Sequence, residues 1–212
     1  TCATYGEPTQ IPIPETEKQD PINPYGGSKF MLEKVCKDCD RAYGLKSVFL
    51  RYFNASGSSV DGAIGEDHEP ESHLIPVILQ AIKGERPGIT VFGTDYDTPD
   101  GTCIRDYIHV DDLADAHLRA LNYLMEGGET NWFNLGTGNG FSVKQIIDAA
   151  EKVTGMKAPV TYGPRREGDP ARLIADSRKA AEILGWIPKY QDVTQIVETA
   201  WKWHNGPNGG HY

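Results

Sequence analysis

Short strand-like runs alternate with helix-like runs along most of this chain, and that alternation constrains the fold more than any other feature. Apolar, β-branched or aromatic runs stand at 48–53 (VFLRYF), 89–92 (ITVF), 107–110 (YIHV), 132–135 (WFNL) and 160–162 (VTY). Between and beyond them, the apolar spacing predicts helices over about 24–42, 74–83, 111–125, 142–153, 176–184 and 192–204. Their ends carry the expected signals. Pro24 opens the first helix and Gly44 follows it. Ser142 and Gln145 make a capping box, and Asp111, Asp176 and Asp192 read as further caps. Strands that alternate with helices imply an α/β fold with a largely parallel sheet. Residues 5–22, 54–72 and 93–106 read as loops, and the Gly, Asn and Pro of 205–212 as a frayed tail.

The 212 residues suffice for a sizeable core, and 39% hydrophobic with 24% charged residues is the composition of a globular chain. No apolar run reaches the length of a membrane span, and no basic stretch followed by an apolar run opens the sequence, so neither a span nor a signal peptide is expected. A net charge of −9 without a basic stripe argues against a nucleic-acid partner. Cys36 and Cys39 form a CxxC, but helical spacing makes them small apolar residues on one face, and no second pair completes a zinc site. Reduced thiols fit the cytoplasm.

Three features bear on chemistry. Tyr25 and Lys29 stand four apart, on one face of the first helix. A phenol titrates near pH 10, so it acts as a base at neutral pH only where a fixed positive charge stabilises its anion. Alone, this spacing is not specific. Gly136-Thr137-Gly138-Asn139-Gly140 follows a strand but lacks the spacing of a dinucleotide fingerprint. His68-Glu69-Pro70-Glu71-Ser72-His73 is similar to a metal cluster, yet Pro70 spoils a helical presentation of its ligands, and no metal is expected there.

The context of Tyr25 is more informative. Thr1-Cys2-Ala3-Thr4-Tyr5-Gly6 stands 24 residues upstream, Pro24 precedes the tyrosine, and Arg51-Tyr52-Phe53-Asn54 ends the next strand. His73-Leu74-Ile75-Pro76, residues 92–96 and 100–114, Asn134-Leu135-Gly136-Thr137-Gly138 and Arg165-Arg166-Glu167-Gly168-Asp169-Pro170 complete a pattern over residues 1 to about 204. It resembles the extended short-chain dehydrogenase/reductase family, in particular those members that invert C4 of a UDP-sugar.

The resemblance implies an α/β fold: the C-terminal part of a Rossmann-like doubly wound parallel sheet plus a smaller mixed α/β substrate-binding domain. Residues 1–57 and about 107–138 would belong to an NAD-binding domain, and 58–106 and about 139–204 to a UDP-sugar-binding domain. It implies NAD as cofactor, UDP-glucose and UDP-galactose as substrates, and a homodimer for the full-length protein. Tyr25, Lys29 and Thr1 would be catalytic. Thr1, at the end of a strand, would bond the sugar 4-hydroxyl, and Thr1, Tyr25, Lys29 and Phe53 would meet the cofactor. Tyr52, Phe53, Asn54, His73, Leu74, Thr90, Val91 and Phe92 would border the substrate. Arg105 and Arg166 would clamp the diphosphate, Asp169 would accept from the ribose, and Leu173 would lie near the sugar.

In that family a nucleotide-binding half precedes the matching threonine, so about 120 residues are expected upstream. Without them, helix 24–42 and strand 48–53 would expose apolar faces and unpaired edges, and the 212 residues alone are expected to be unstable or to aggregate. Related dehydratases and decarboxylases carry acidic residues where Cys2 and Ala3 stand. A catalytically dead nucleotide-sugar binder, and a hydrolase using Thr1 as nucleophile, are the other readings.

Overall fold

The computed structural model describes residues 1–207 and 209–211. A 3-10 turn, Cys2–Thr4, and a long loop lead to α1 (Pro24–Tyr43). Then come β1 (Val48–Tyr52), β2 (Asn54–Ser56), α2 (Leu74–Lys83), β3 (Ile89–Phe92), β4 (Ile104–Arg105), β5 (Tyr107–His109), α3 (Val110–Met125) and β6 (Asn131–Leu135). The chain closes with β7 (Phe141–Ser142), α4 (Val143–Thr154), β8 (Val160–Gly163), β9 (Arg172–Leu173), α5 (Arg178–Leu184) and α6 (Val193–His204).

Strand pairing is mostly parallel, as strands joined through helices must be. β1 pairs with β6, β2 with β5 and β3 with β8, all parallel, and β4 lies between antiparallel β7 and parallel β9. Two apolar clusters form the core. One joins α2, α4, α6 and β3 around Ile78, Leu79, Ile146 and Ile196. The other packs α3, α5 and Trp186 against β5 and β6. A smaller cluster of Tyr5, Ile13, Phe53 and Ala175, with Cys2 and Leu173 against it, ties the loop before α1 to β9.

The Ser142 capping box and the Asp192 cap form as the sequence indicates. Asp111 does not cap α3: His109 does, its Nδ1 accepting from the Asp111 amide at 3.1 Å. Ser177, not Asp176, precedes α5, although Asp176 Oδ1 accepts from the Arg178 amide at 3.1 Å. β2 and β4 fall where loops are expected, because such short strands exist only through their distant partners. Of the tail, Asn208 and Tyr212 lie outside the described residues. Gly210 is buried, and His211 Nδ1 lies 2.9 Å from Asp67 Oδ1.

β1 has β6 on one edge and no strand on the other among the described residues. On α1, Met31, Leu32, Val35 and Tyr43 are exposed, as are Leu118, Leu121 and Met125 on α3. The face on α1 and the open edge of β1 are those that the sequence leads one to expect; the face on α3 is not among them. No described helix is long and apolar enough to cross a membrane.

Candidate active site

The first two turns of α1 carry Tyr25 and Lys29 to solvent. Asn23 caps it, its Oδ1 accepting from the Gly26 amide at 2.8 Å. Lys29 Nζ lies 5.5 Å from the centroid of the Tyr25 ring. Gly26 faces inward, where a Cβ would stand 2.3 Å from the Ala3 carbonyl oxygen. Only glycine permits this approach, and it seats the Tyr25 turn directly on the segment that bears Thr1. Thr1 does not lie in a strand. It caps the 3-10 turn, its Oγ1 accepting from the Ala3 amide at 3.3 Å.

The position of α1 is fixed from behind by a buried network. Glu33, one turn beyond Lys29, accepts from Arg51 Nε at 2.8 Å and from Arg51 Nη2 at 2.5 Å. Arg51 Nη1 donates to the Tyr5 hydroxyl at 2.9 Å, and that hydroxyl donates to Asn134 Oδ1 at 2.7 Å. Burial pushes the Glu33 carboxyl up, but hydrogen bonds from Arg51, its charge, and Gln19 outweigh it and hold the group below its ordinary range. Burial raises the Tyr5 phenol, which stays protonated and keeps its donor role. The network links α1, β1, β6 and the loop before α1. Its members escape a local reading because their partners are distant in sequence. The one available signal is the spacing of Glu33, four residues beyond Lys29 on the same helix face.

A second group gathers around β4. Arg105 pairs through Nη2 with Asp169 Oδ1, and its Nη1 donates to the Ile104 carbonyl at 2.7 Å. The two residues therefore hold each other, whereas the resemblance assigns them separate parts of a ligand. The Arg166 guanidinium lies over the Phe92 ring at 4.2 Å. Arg165, to which the motif assigns no role of its own, stacks on Tyr96 at 4.3 Å and donates to Asp95 Oδ1 at 2.7 Å. The Tyr96 hydroxyl is buried without a hydrogen-bond partner among the described residues. Burial raises this phenol, and the nearby Asp169 and Cys103 add to the effect.

The other expected residues divide by strand alternation. Thr90 is exposed, with its hydroxyl 3.0 Å from that of Thr161, while the Val91 side chain is in the core. Phe53 is buried against Tyr5, Ile13 and Ala175, so its ring is a core element. Tyr52 is half-buried at the end of β1, and Asn54 is exposed at the start of β2. His73 is exposed at the start of α2, with Leu74 packed against the larger core. The small cluster of Phe53 carries Cys2 on one side and Leu173 on the other, and so joins the Thr1 turn to β9 and its neighbour Arg105. Burial pushes the Cys2 thiol up to about 11, which leaves it a poor nucleophile.

The glycine-rich turn does not cradle a phosphate, because the chain's own carboxylate fills it. Asp106 Oδ1 accepts from the Thr137 amide and hydroxyl, each at 2.8 Å. Oδ2 accepts from the Gly138 amide at 3.0 Å and the Ala175 amide at 3.1 Å. A Cβ on Gly136 would stand 2.4 Å from Oδ2. A dinucleotide could therefore meet this chain through Thr1, Tyr25 and Lys29, which offer hydroxyls and an ammonium suited to a ribose, but not through this turn. His68, Glu71 and His73 converge although Pro70 bars a helix, because the loop before α2 folds them together.

A family model described as the NAD dependent epimerase/dehydratase family matches residues 1–136, and the chain belongs to that family. The UDP-glucose 4-epimerase of Lacticaseibacillus casei is 57% identical over 210 residues, which are 99% of this chain and 63% of that protein. A crystal structure of UDP-glucose 4-epimerase from Brucella ovis in complex with NAD is 50% identical, with a TM-score of 0.93 over 99% of this chain and 63% of that one. The enzyme from Bifidobacterium longum in complex with NAD+ and UDP is 38% identical, with a TM-score of 0.91 over 98% and 62%. The chain thus spans slightly less than two thirds of the length of these proteins.

Proposed function

We propose that this chain is the catalytic and sugar-nucleotide-binding part of a protein that interconverts UDP-glucose and UDP-galactose at C4 of the hexose. What carries the reading is the Tyr25–Lys29 pair, seated on the Thr1 turn by the close approach of Gly26 to Ala3. The 57% identical relative named UDP-glucose 4-epimerase supports it. NAD is the proposed cofactor, with Thr1, Tyr25 and Lys29 toward its ribose, and it would supply a reversible hydride acceptor at C4.

The chain's own residues do the rest. Tyr25 Oη takes the proton of the 4-hydroxyl as C4 is oxidised and returns it when the opposite face of the 4-keto sugar is reduced. Lys29 supplies the positive charge that a phenoxide needs beside it. Thr1 bonds the 4-hydroxyl and relays its proton. Arg105 and Arg166 meet the diphosphate, for which guanidinium has the matching fork, and Asp169 leaves Arg105 to accept from the ribose. Tyr52, Asn54, His73, Leu74, Thr90 and Phe92 border the substrate. Phe53 and Val91 act through packing and backbone.

We further infer two domains along the boundaries stated above, with α5 and Trp186 packed on the NAD-binding one. The exposed apolar residues of α1 support a homodimer, and the four free thiols support a cytoplasmic setting. A dehydratase is disfavoured because Cys2 and Ala3 offer no acid beside Thr1. The test is Tyr25→Phe in the intact protein. UDP-galactose conversion should fall at least a thousandfold with the fold intact, and near-normal turnover would remove Tyr25 from its role.

A further inference from the structure

The loop before α2 carries a cluster of which the reading above uses only His73, at the edge of the substrate. His73 Nδ1 lies 2.5 Å from Glu66 Oε1 and 3.0 Å from Glu71 Oε1. His68 Nδ1 lies 3.7 Å from Glu71 Oε1, and the two imidazole rings are 5.1 Å apart. Ligand atoms of His68, Glu71 and His73 all fall within 4.8 Å of one another. We propose that His68, Glu71 and His73, with Glu66 beside His73, form a binding site for a divalent transition-metal ion, with zinc as the best match.

A ring nitrogen carries at most one proton, yet two carboxylate oxygens face the single Nδ1 of His73. One proton shared between two acceptors satisfies both poorly, whereas a dication beside His73 attracts both. Zinc holds nitrogen and carboxylate oxygen at about 2.0–2.2 Å in a tetrahedron, which sets ligands roughly 3.3 Å apart. The separations of 2.5, 3.0 and 3.7 Å bracket that value. Glu71 is largely buried, and its Oε1 accepts from the Ser72 and His73 amides, each at 2.7 Å, so the central carboxylate is already oriented. Two imidazoles with two carboxylates suit zinc, cobalt or nickel better than calcium or magnesium.

Chelator-treated intact protein, titrated with zinc by calorimetry and with cobalt by visible absorption, tests this. The expected result is one equivalent bound, with the intense bands of tetrahedral cobalt. Affinity should fall at least tenfold in His68→Ala and in Glu66→Gln and stay unchanged in His211→Ala. His68 and His211 are exposed, so these variants should fold, which circular dichroism checks. No saturable binding, binding unaltered in His68→Ala, or loss in His211→Ala alone would each overturn the site.

Discussion

Removing Arg51 should cost the protein more than any surface change. Its side chain is 2% exposed and that of Glu33 is 7% exposed, so Arg51→Met strands a carboxylate in the interior and takes a donor from the Tyr5 hydroxyl. Breaking a buried pair from one side costs about 3–5 kcal/mol. For a chain of this size each kcal/mol lowers Tm by about 2–4 °C, which gives a drop of roughly 6–20 °C. Thermal unfolding of the intact protein, followed by circular dichroism, measures it. Adding Glu33→Leu should restore much of the loss, since the stranded charge goes with it. Acid adds a second reading. Glu33 is depressed in the fold, so its stabilisation is complete above its ordinary pKa of 4.5 and is lost as pH falls through the lower folded value. Arg51→Met should abolish that acid-side loss. A destabilisation below about 1 kcal/mol, or a double variant worse than the single, would refute the argument.

Gly26→Ala should gain about 1 kcal/mol of helix propensity yet destabilise overall and lower turnover, because the new methyl meets the Ala3 carbonyl; a stabilised, fully active variant would contradict this. Asp106→Asn should cost about 3 kcal/mol in urea unfolding, since four donors lose a charged acceptor. Tyr96→Phe should change stability by less than about 0.5 kcal/mol, because the deleted hydroxyl has no partner among the described residues; a larger loss would reveal one. Burial lowers His109 and His204, so stability should be complete above pH 6.5 and decline as pH falls below it, when the unfolded chain binds protons that the fold refuses; a flat profile between pH 7 and 5.5 would contradict this. Residues 1–212 expressed alone should aggregate through the open edge of β1 and the bare faces of α1 and α3, and a monodisperse species with one cooperative transition would overturn that.

The elements that read correctly are those with local signals: Pro24 and Gly44 around α1, the Ser142 capping box, and the apolar run of β6. What failed depends on distant partners. The two residues of β4 become a strand only between β7 and β9. His109 takes the capping position from Asp111 because the chain turns out of β5 one residue earlier. The site divides in the same way. Tyr25, Lys29 and Arg166 are exposed where the motifs lead one to expect them. The pairing of Arg105 with Asp169, the anchoring of Glu33 by Arg51, and the filling of the glycine turn by Asp106 all join residues far apart in sequence, and no spacing rule reports such contacts.

The proposed reaction is oxidation and reduction at one carbon, with Tyr25 moving only the hydroxyl proton. UDP-galactose deuterated at C4, incubated with the intact protein in ordinary water, tests this most directly. The account predicts UDP-glucose that keeps its deuterium at C4, because hydride leaves and returns within one closed site. Conversion with loss of the deuterium to solvent, or no conversion at all with NAD bound, would contradict it.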